Sequence, residues 1–275
     1  MGEVEGLPGY TKEEVIHQIE LNLWETWSNF GRGPGCTLHD DGDALWFETP
    51  IPIIPYNTVL KFQVNEDVDQ RIDALMDGYA RRNVAPLWIV HPSSTPADLS
   101  ERLEKRGYQE IEQAPCMARL LENLPEPPPL PLGVEIREVI EAVDLIELYG
   151  FAAWRWGVPG KFRPQLRAMI EKFKIGERGS NTRGWFAWKD GAPISKINLY
   201  NGSGSAGIYG VATKPEARGM GIASILMNTA MQAAKDMGHD LCVLDSSPKA
   251  EHLYQRLGFI HLAPLRLFST VQAVL

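Results

Sequence analysis

Apolar residues in this chain recur at two spacings. Helical spacing marks Glu13 to Trp27, where Val15, Ile16, Ile19, Leu23 and Trp27 share a face. Val68 to Arg82, Pro96 to Arg106, Ala142 to Trp156, Gln165 to Phe173, Gly219 to Met237 and Lys249 to Leu257 also read as helices. Short apolar or alternating runs predict strands at Ala44 to Glu48, Thr58 to Val64, Pro86 to Val90, Cys116 to Leu121, Val134 to Val139, Ala206 to Thr213, Leu241 to Asp245 and from Phe259 onward. Gly184 to Lys189 and Pro193 to Tyr200 flank Asp190-Gly191, a favoured tight turn, and predict a hairpin.

Between the halves lies ENLPEPPPLPLG, Glu122 to Gly133. Its prolines fix φ and remove donors, so it is neither helix nor central strand but an extended linker. The expected division is residues 1–121, linker 122–133, and residues 134–275. The halves share a detail. Ser93-Ser94, a proline and a helix closing on Gly107-Tyr108 echo Ser246-Ser247-Pro248 and a helix closing on Gly258-Phe259, as expected of an internal duplication.

Composition narrows the function classes. Lys and Arg total 27 against 35 Asp and Glu, a net charge of −8, which argues against nucleic acid or an anionic membrane as partner. No apolar run approaches the ~20 residues that cross a bilayer. The acidic start, MGEVEGLPGY, lacks signal-peptide character, and Gly6 stands where a myristoylation signal needs Ser or Thr. Cys36, Cys116 and Cys242 are scattered, with no metal-ligand spacing, so neither a disulfide framework nor a zinc site is expected. A reduced, cytoplasmic setting fits.

The chemistry concentrates in Ile208 to Ala223. An apolar strand passes through a glycine-bearing turn into a long helix, which is an anion site: the first helix amides lack internal partners, glycine lets a phosphate approach, and the dipole attracts negative charge. The run matches neither the P-loop nor the dinucleotide fingerprint. Arg218-x-x-Gly221-x-Ala223, with Val211-x-Thr213-x-Pro215 before it, resembles the pyrophosphate signature of the GNAT superfamily of N-acetyltransferases. Ala250-x-x-Leu253-Tyr254-x-x-Leu257-Gly258-Phe259 is similar to that family's second signature.

The resemblance implies an α/β (α+β) architecture: two GNAT-like domains, each a mixed, mostly antiparallel sheet flanked by helices, splayed in the C-terminal domain to hold coenzyme A. It implies acetyl-CoA as co-substrate and no metal. Pantetheine would pair with the backbone of Val211, Ala212 and Thr213. The pyrophosphate would rest on the amides of Arg218, Gly219, Met220, Gly221, Ile222 and Ala223, with Ser247 and Ala250 contributing contacts. Ser247 stands where the family often has Asn. In similar enzymes the tyrosine at Tyr254 protonates or positions the departing thiolate. Many relatives carry a Glu on the central strand; Gly207 to Gly210 has none, so Asp245 is the candidate base, with helix capping as its alternative. The acceptor wall is expected around Trp154, Trp156 and Tyr209.

The N-terminal half lacks the loop. Asn65-Glu66-Asp67-Val68-Asp69 places carboxylates where a diphosphate would sit, and Leu103 matches Tyr254. This half is expected to be degenerate and to shape the substrate site, with Trp24 on helix 13–27 closing over the acceptor. The implied function is N-acetylation of a small-molecule primary amine by a monomer or homodimer. The alternatives are a protein or peptide N-acetyltransferase, a non-catalytic acyl-CoA-binding regulator, and a decarboxylase on the same fold.

Overall fold

The computed structural model describes residues 2–270. In chain order the N-terminal half forms β1 (Glu3–Val4), β2 (Leu7–Thr11), α1 (Lys12–Trp27), β3 (Thr37–Asp40), β4 (Ala44–Glu48), β5 (Thr58–Phe62), α2 (Val68–Arg81), β6 (Leu87–Val90), α3 (Leu99–Glu104) and β7 (Gln109–Leu120). The C-terminal half forms β8 (Val134–Glu138), α4 (Ala142–Arg155), α5 (Arg163–Ile170), β9 (Thr182–Lys189), β10 (Ala192–Asn201), β11 (Ala206–Thr213), α6 (Ile222–Asp236), β12 (Leu241–Asp245), α7 (Glu251–Arg256) and β13 (Ile260–Ser269). From β3 and from β9 onward the two halves run the same order, β-β-β-α-β-α-β.

Local chemistry places the ends. A capping box starts α1: Thr11 Oγ1 accepts from the Glu14 amide, and the Thr11 amide donates to Glu14 Oε2 at 2.8 Å. The hairpin turns at Asp190 and Gly191, both at positive φ, as a type I′ turn requires. Helix α6 begins at Ile222 rather than Gly219, because Gly219 and Gly221 sit at φ +77° and +76°.

The two expected sheets are joined into one of eleven strands, ordered β3-β4-β5-β6-β13-β7-β12-β11-β10-β9-β8. Each half lends its last strand to the other. β7 pairs with β12 from Leu241↔Leu120 to Asp245↔Cys116, and β13 pairs with β6 at Arg266↔Val90 to Phe268↔Trp88. β7 and β13 pair with each other along the seam. The half-boundary in sequence is therefore crossed three times in the sheet. β7 also starts seven residues earlier than its apolar run, because Gln109 to Gln113 extends the ladder with β13.

Helix α6 covers the C-terminal half of the sheet, where Leu226, Ala230 and Met231 are fully buried. Helices α2 and α3 do the same for the N-terminal half through Ile72, Leu99 and Leu103. Helix α1 crosses the seam: Val15, Ile19 and Leu23 join one cluster with Cys116 and Ala118 of β7, Val243 of β12 and Leu262 of β13. An N-terminal helix thus lies against the strands of the C-terminal half. Among the described residues, no helix is long and apolar enough to cross a membrane.

Candidate functional site

Strands β11 and β12 run parallel but pair only at Ala206↔Cys242 and Gly207↔Val243. Beyond Gly207 they splay, leaving the β12-facing edge of β11 free from Ile208 to Thr213. On its other edge β11 carries a bulge: Lys196 pairs with Ala212 and Asn198 with Tyr209, so Gly210 and Val211 together face Ile197. Gly210 has φ +61°. The bulge re-aims the backbone of the strand expected to hold pantetheine. Ala212 is buried, and its carbonyl accepts from Ser195 Oγ at 3.0 Å, while Thr213 Oγ1 lies 2.7 Å from the same hydroxyl.

The turn after β11 suits a diphosphate. The Ile225 amide, bonded to the Gly221 carbonyl at 3.2 Å, is the first to close a helical turn, so the amides of Ile222, Ala223 and Ser224 point out of the helix start. Gly219 has nothing within 4 Å of where a Cβ would stand. Arg218 is exposed and braced by its Nε on the Thr213 carbonyl at 3.3 Å. The linker reaches this site: a Cβ on Gly221 would lie 3.4 Å from the Pro128 ring. Met220 is half-buried against the α6 core. These features fit a coenzyme A diphosphate, with Arg218 and the loop amides as its holders.

The splay opens into a cavity of about 260 Å³. Asp245, Ser247, Ala250 and Tyr254 line one wall, and Tyr209, Gly210 and Val211 the other. Asp245 ends β12, and its pKa is raised to about 6, first by burial and then by the negative charge of Glu112. Tyr254 is buried; loss of hydration and the neighbouring Asp245 charge raise its pKa well above 10, so the phenol keeps its proton.

Among the sequence-predicted acceptor residues, Trp156 and Tyr209 line the cavity, but the Tyr209 hydroxyl is committed to Asn22 Oδ1 at 2.7 Å. Trp154 is a correction: it stands outside the cavity, 45 % exposed, because the helical repeat of α4 turns it away from Ala152 and Arg155. Trp24 is a second correction. Its indole donates to the Leu60 carbonyl at 3.1 Å, and Leu23, Thr26 and Trp27 of α1 face the cavity instead. The N-terminal half therefore does help to wall the cavity, also through Tyr56, Ile89 and Glu112.

Three charged residues of the cavity were missed in the sequence: Glu112, Arg155 and Lys196. Glu112 lies in the polar start of β7, whose alternation is too weak to announce a strand. Lys196 carried a usable signal, a lone charge between Ile194 and Ile197 in an interior strand.

The corresponding region of the N-terminal half is closed. β5 and β6 pair at Thr58↔Leu87 and Val59↔Trp88, and the segments that follow them bridge again at Gln63↔Thr95, with the Thr95 amide on the Phe62 carbonyl at 3.1 Å. His91 Nε2 donates to the Leu60 carbonyl at 2.7 Å, beside the Trp24 indole. The strand edge that pantetheine would need is thus taken. At the start of α2, Asp69 and Asp73 are clamped by Arg102 of α3 and Arg106 just beyond it, at 2.5 and 2.6 Å.

A family model described as the acetyltransferase (GNAT) family matches residues 147–259. The structure is similar to a GCN5-related N-acetyltransferase from Kribbella flavida, with TM-score 0.64 and 16 % identity over 95 % of this chain and 96 % of that one. It is similar to a tandem GNAT protein from the clavulanic acid biosynthesis pathway, with TM-score 0.61 and 12 % identity over 94 % of each chain. A GCN5-related N-acetyltransferase from Sphaerobacter thermophilus gives TM-score 0.59 and 20 % identity over 74 % of this chain and 66 % of that one. A search of curated protein sequences found no match.

Proposed function

We propose, from the premise that residues 147–259 form a GNAT-family domain within a tandem GNAT-like fold, that this chain is an acetyl-CoA-dependent N-acetyltransferase acting on a small-molecule primary amine. One observation carries the reading: the β11–β12 splay joins an open strand edge and an anion-receiving loop to a cavity lined by Asp245 and Tyr254. Bound acetyl-CoA would supply the thioester.

The roles follow from the side chains. An acceptor amine is mostly protonated at neutral pH and must lose a proton before attack. Asp245, with its pKa near 6, is largely ionised at pH 7 yet close enough to neutrality to exchange a proton. The new N–C bond forms as the C–S bond breaks, and the amine proton passes to Asp245 and on to solvent. Tyr254 offers its O–H to the departing sulfur. A free thiol has a pKa of about 8.5, below that of even an unperturbed phenol, so the tyrosine stabilises the thiolate chiefly by hydrogen bonding. Its contribution therefore falls at the lower end of the ~10²–10⁴-fold range for acid catalysis.

The test is release of coenzyme A thiol against a panel of primary amines, for the wild type and Tyr254→Phe. The expected result is turnover of at least one amine, with kcat about 100-fold lower in the variant and acetyl-CoA affinity little changed. Tight acetyl-CoA binding with no turnover of any amine would instead support the regulator alternative.

A further inference from the structure

Resting on that reading, we infer that the acceptor is a free α-amino acid with an apolar or aromatic side chain, whose carboxylate is held by Lys196 and Arg155. The cavity contains two cations that the catalytic roles do not use. Lys196 is 6 % exposed and sits on β10, opposite the bulge, with Nζ 3.0 Å from where a Cβ of Gly210 would stand. Its one hydrogen-bond acceptor is Asn198 Oδ1 at 3.3 Å, in the amide orientation that satisfies both Asn198 polar atoms. Arg155 lines the same cavity, its guanidinium stacked over the Trp156 ring at 4.6 Å. Among the described residues, no carboxylate lies within 4 Å of either cation.

A buried ammonium without a counter-charge is costly unless something completes it. Burial and the nearby Arg155 charge lower the Lys196 pKa to about 8, which still leaves it mostly cationic at neutral pH. The carboxylates of the cavity, Glu112 and Asp245, do not complete it. Glu112 feels the Arg155 charge, but from beyond ion-pair distance, and Asp245 lies on the far wall of the splay with Tyr254. The missing partner is therefore an anionic group on the ligand. A planar guanidinium beside an ammonium suits a carboxylate.

Position narrows the class further. Val211 is the end of the expected pantetheine stretch farthest from the diphosphate loop, so the thioester would lie toward Gly210, next to Lys196 Nζ. The group bound by Lys196 must then lie close to the attacking nitrogen, as the carboxylate of an α-amino acid does. The remaining walls, Trp27, Phe30, Tyr56 and Phe173, are aromatic and suit an apolar side chain.

The experiment compares matched pairs: L-phenylalanine with 2-phenylethylamine, L-tyrosine with tyramine, and L-leucine with 3-methylbutylamine. The quantity read is the ratio of kcat/KM within each pair. The wild type is expected to favour at least one amino acid over its decarboxylated counterpart. Lys196→Met and Arg155→Met should each shrink that ratio about 10- to 100-fold, mainly through KM of the amino acid, with circular dichroism confirming the fold. Turnover of the plain amines at equal or better kcat/KM overturns the inference while leaving the acetyltransferase reading intact. A ratio unchanged in Lys196→Met also overturns it, since Lys196 would then act on both acceptors alike. Failure to bind acetyl-CoA overturns the acetyltransferase reading itself, and the inference with it.

Discussion

In the proposed role of base, Asp245 sets stability against reactivity. Its carboxyl is held near pKa 6 by burial and by Glu112, against 3.8 when unperturbed. The folded protein thus binds more protons than the unfolded chain between about pH 4 and pH 6, and this residue's contribution to stability falls as pH rises through that window. Asp245→Asn should raise the denaturation midpoint at pH 7.5 more than at pH 4.5. Activity has the opposite demand, since a base must be ionised: kcat/KM should fall as pH drops through about 6. Glu112→Gln removes the like charge and should move that acidic limb downward. A pH–rate profile for the wild type and the two variants checks both statements; an unmoved limb in Glu112→Gln would mean another group sets it. Asp245 was legible in the sequence because it ends an apolar strand. Its pKa was not, because Glu112 reaches it through a strand from the other half.

At the scale of elements, the contact between α1 and β11 ties the C-terminal half of the sheet to the N-terminal half. Asn22 is buried on α1; its Nδ2 donates to the Ser205 carbonyl at 2.8 Å, and its Oδ1 accepts from Tyr209. Asn22→Ala strands both partners and should cost about 1–3 kcal/mol in chemical denaturation. It should also loosen Tyr209, and with it the cavity wall. Gly207 explains why nothing larger stands opposite: a Cβ there would come within 1.9 Å of Asn22 Oδ1. Helix α1 itself was plain from the spacing of Val15, Ile19 and Leu23. The residues it presents to the cavity were not: the sequence suggested Trp24, and only the packed sheet turns Trp27 to the cavity instead. Short strands such as β1, β2 and β3 escaped because two to five residues carry too little periodicity.

For the whole molecule, the exchange of β7 and β13 makes the two halves one sheet. The apolar patterns at Cys116 to Leu121 and Phe259 onward announce strands, but nothing in a strand's own pattern names a partner across the linker. The exchange predicts that cutting the linker, through a protease site inserted near Leu124, leaves the two pieces co-eluting in gel filtration and unfolding in a single transition. Separation of the pieces without denaturant would contradict the paired seam.

The same asymmetry of the halves fixes how many cofactor sites the chain should hold. Among the described residues, only the β11–β12 splay keeps an open strand edge and a glycine turn; the β5–β6 counterpart is bridged at Gln63↔Thr95, and the aspartates at the start of α2 are locked by arginines. The most direct test is calorimetric titration of acetyl-CoA into the wild type and Gly221→Glu, with thermal melts of both. Glu at position 221 puts a strained backbone and a negative charge where the diphosphate would rest. One acetyl-CoA bound per wild-type chain, and none by a variant that still melts cooperatively, is the predicted result. Two sites per chain, or unchanged affinity in Gly221→Glu, would contradict the assignment of the C-terminal splay as the acetyl-CoA site.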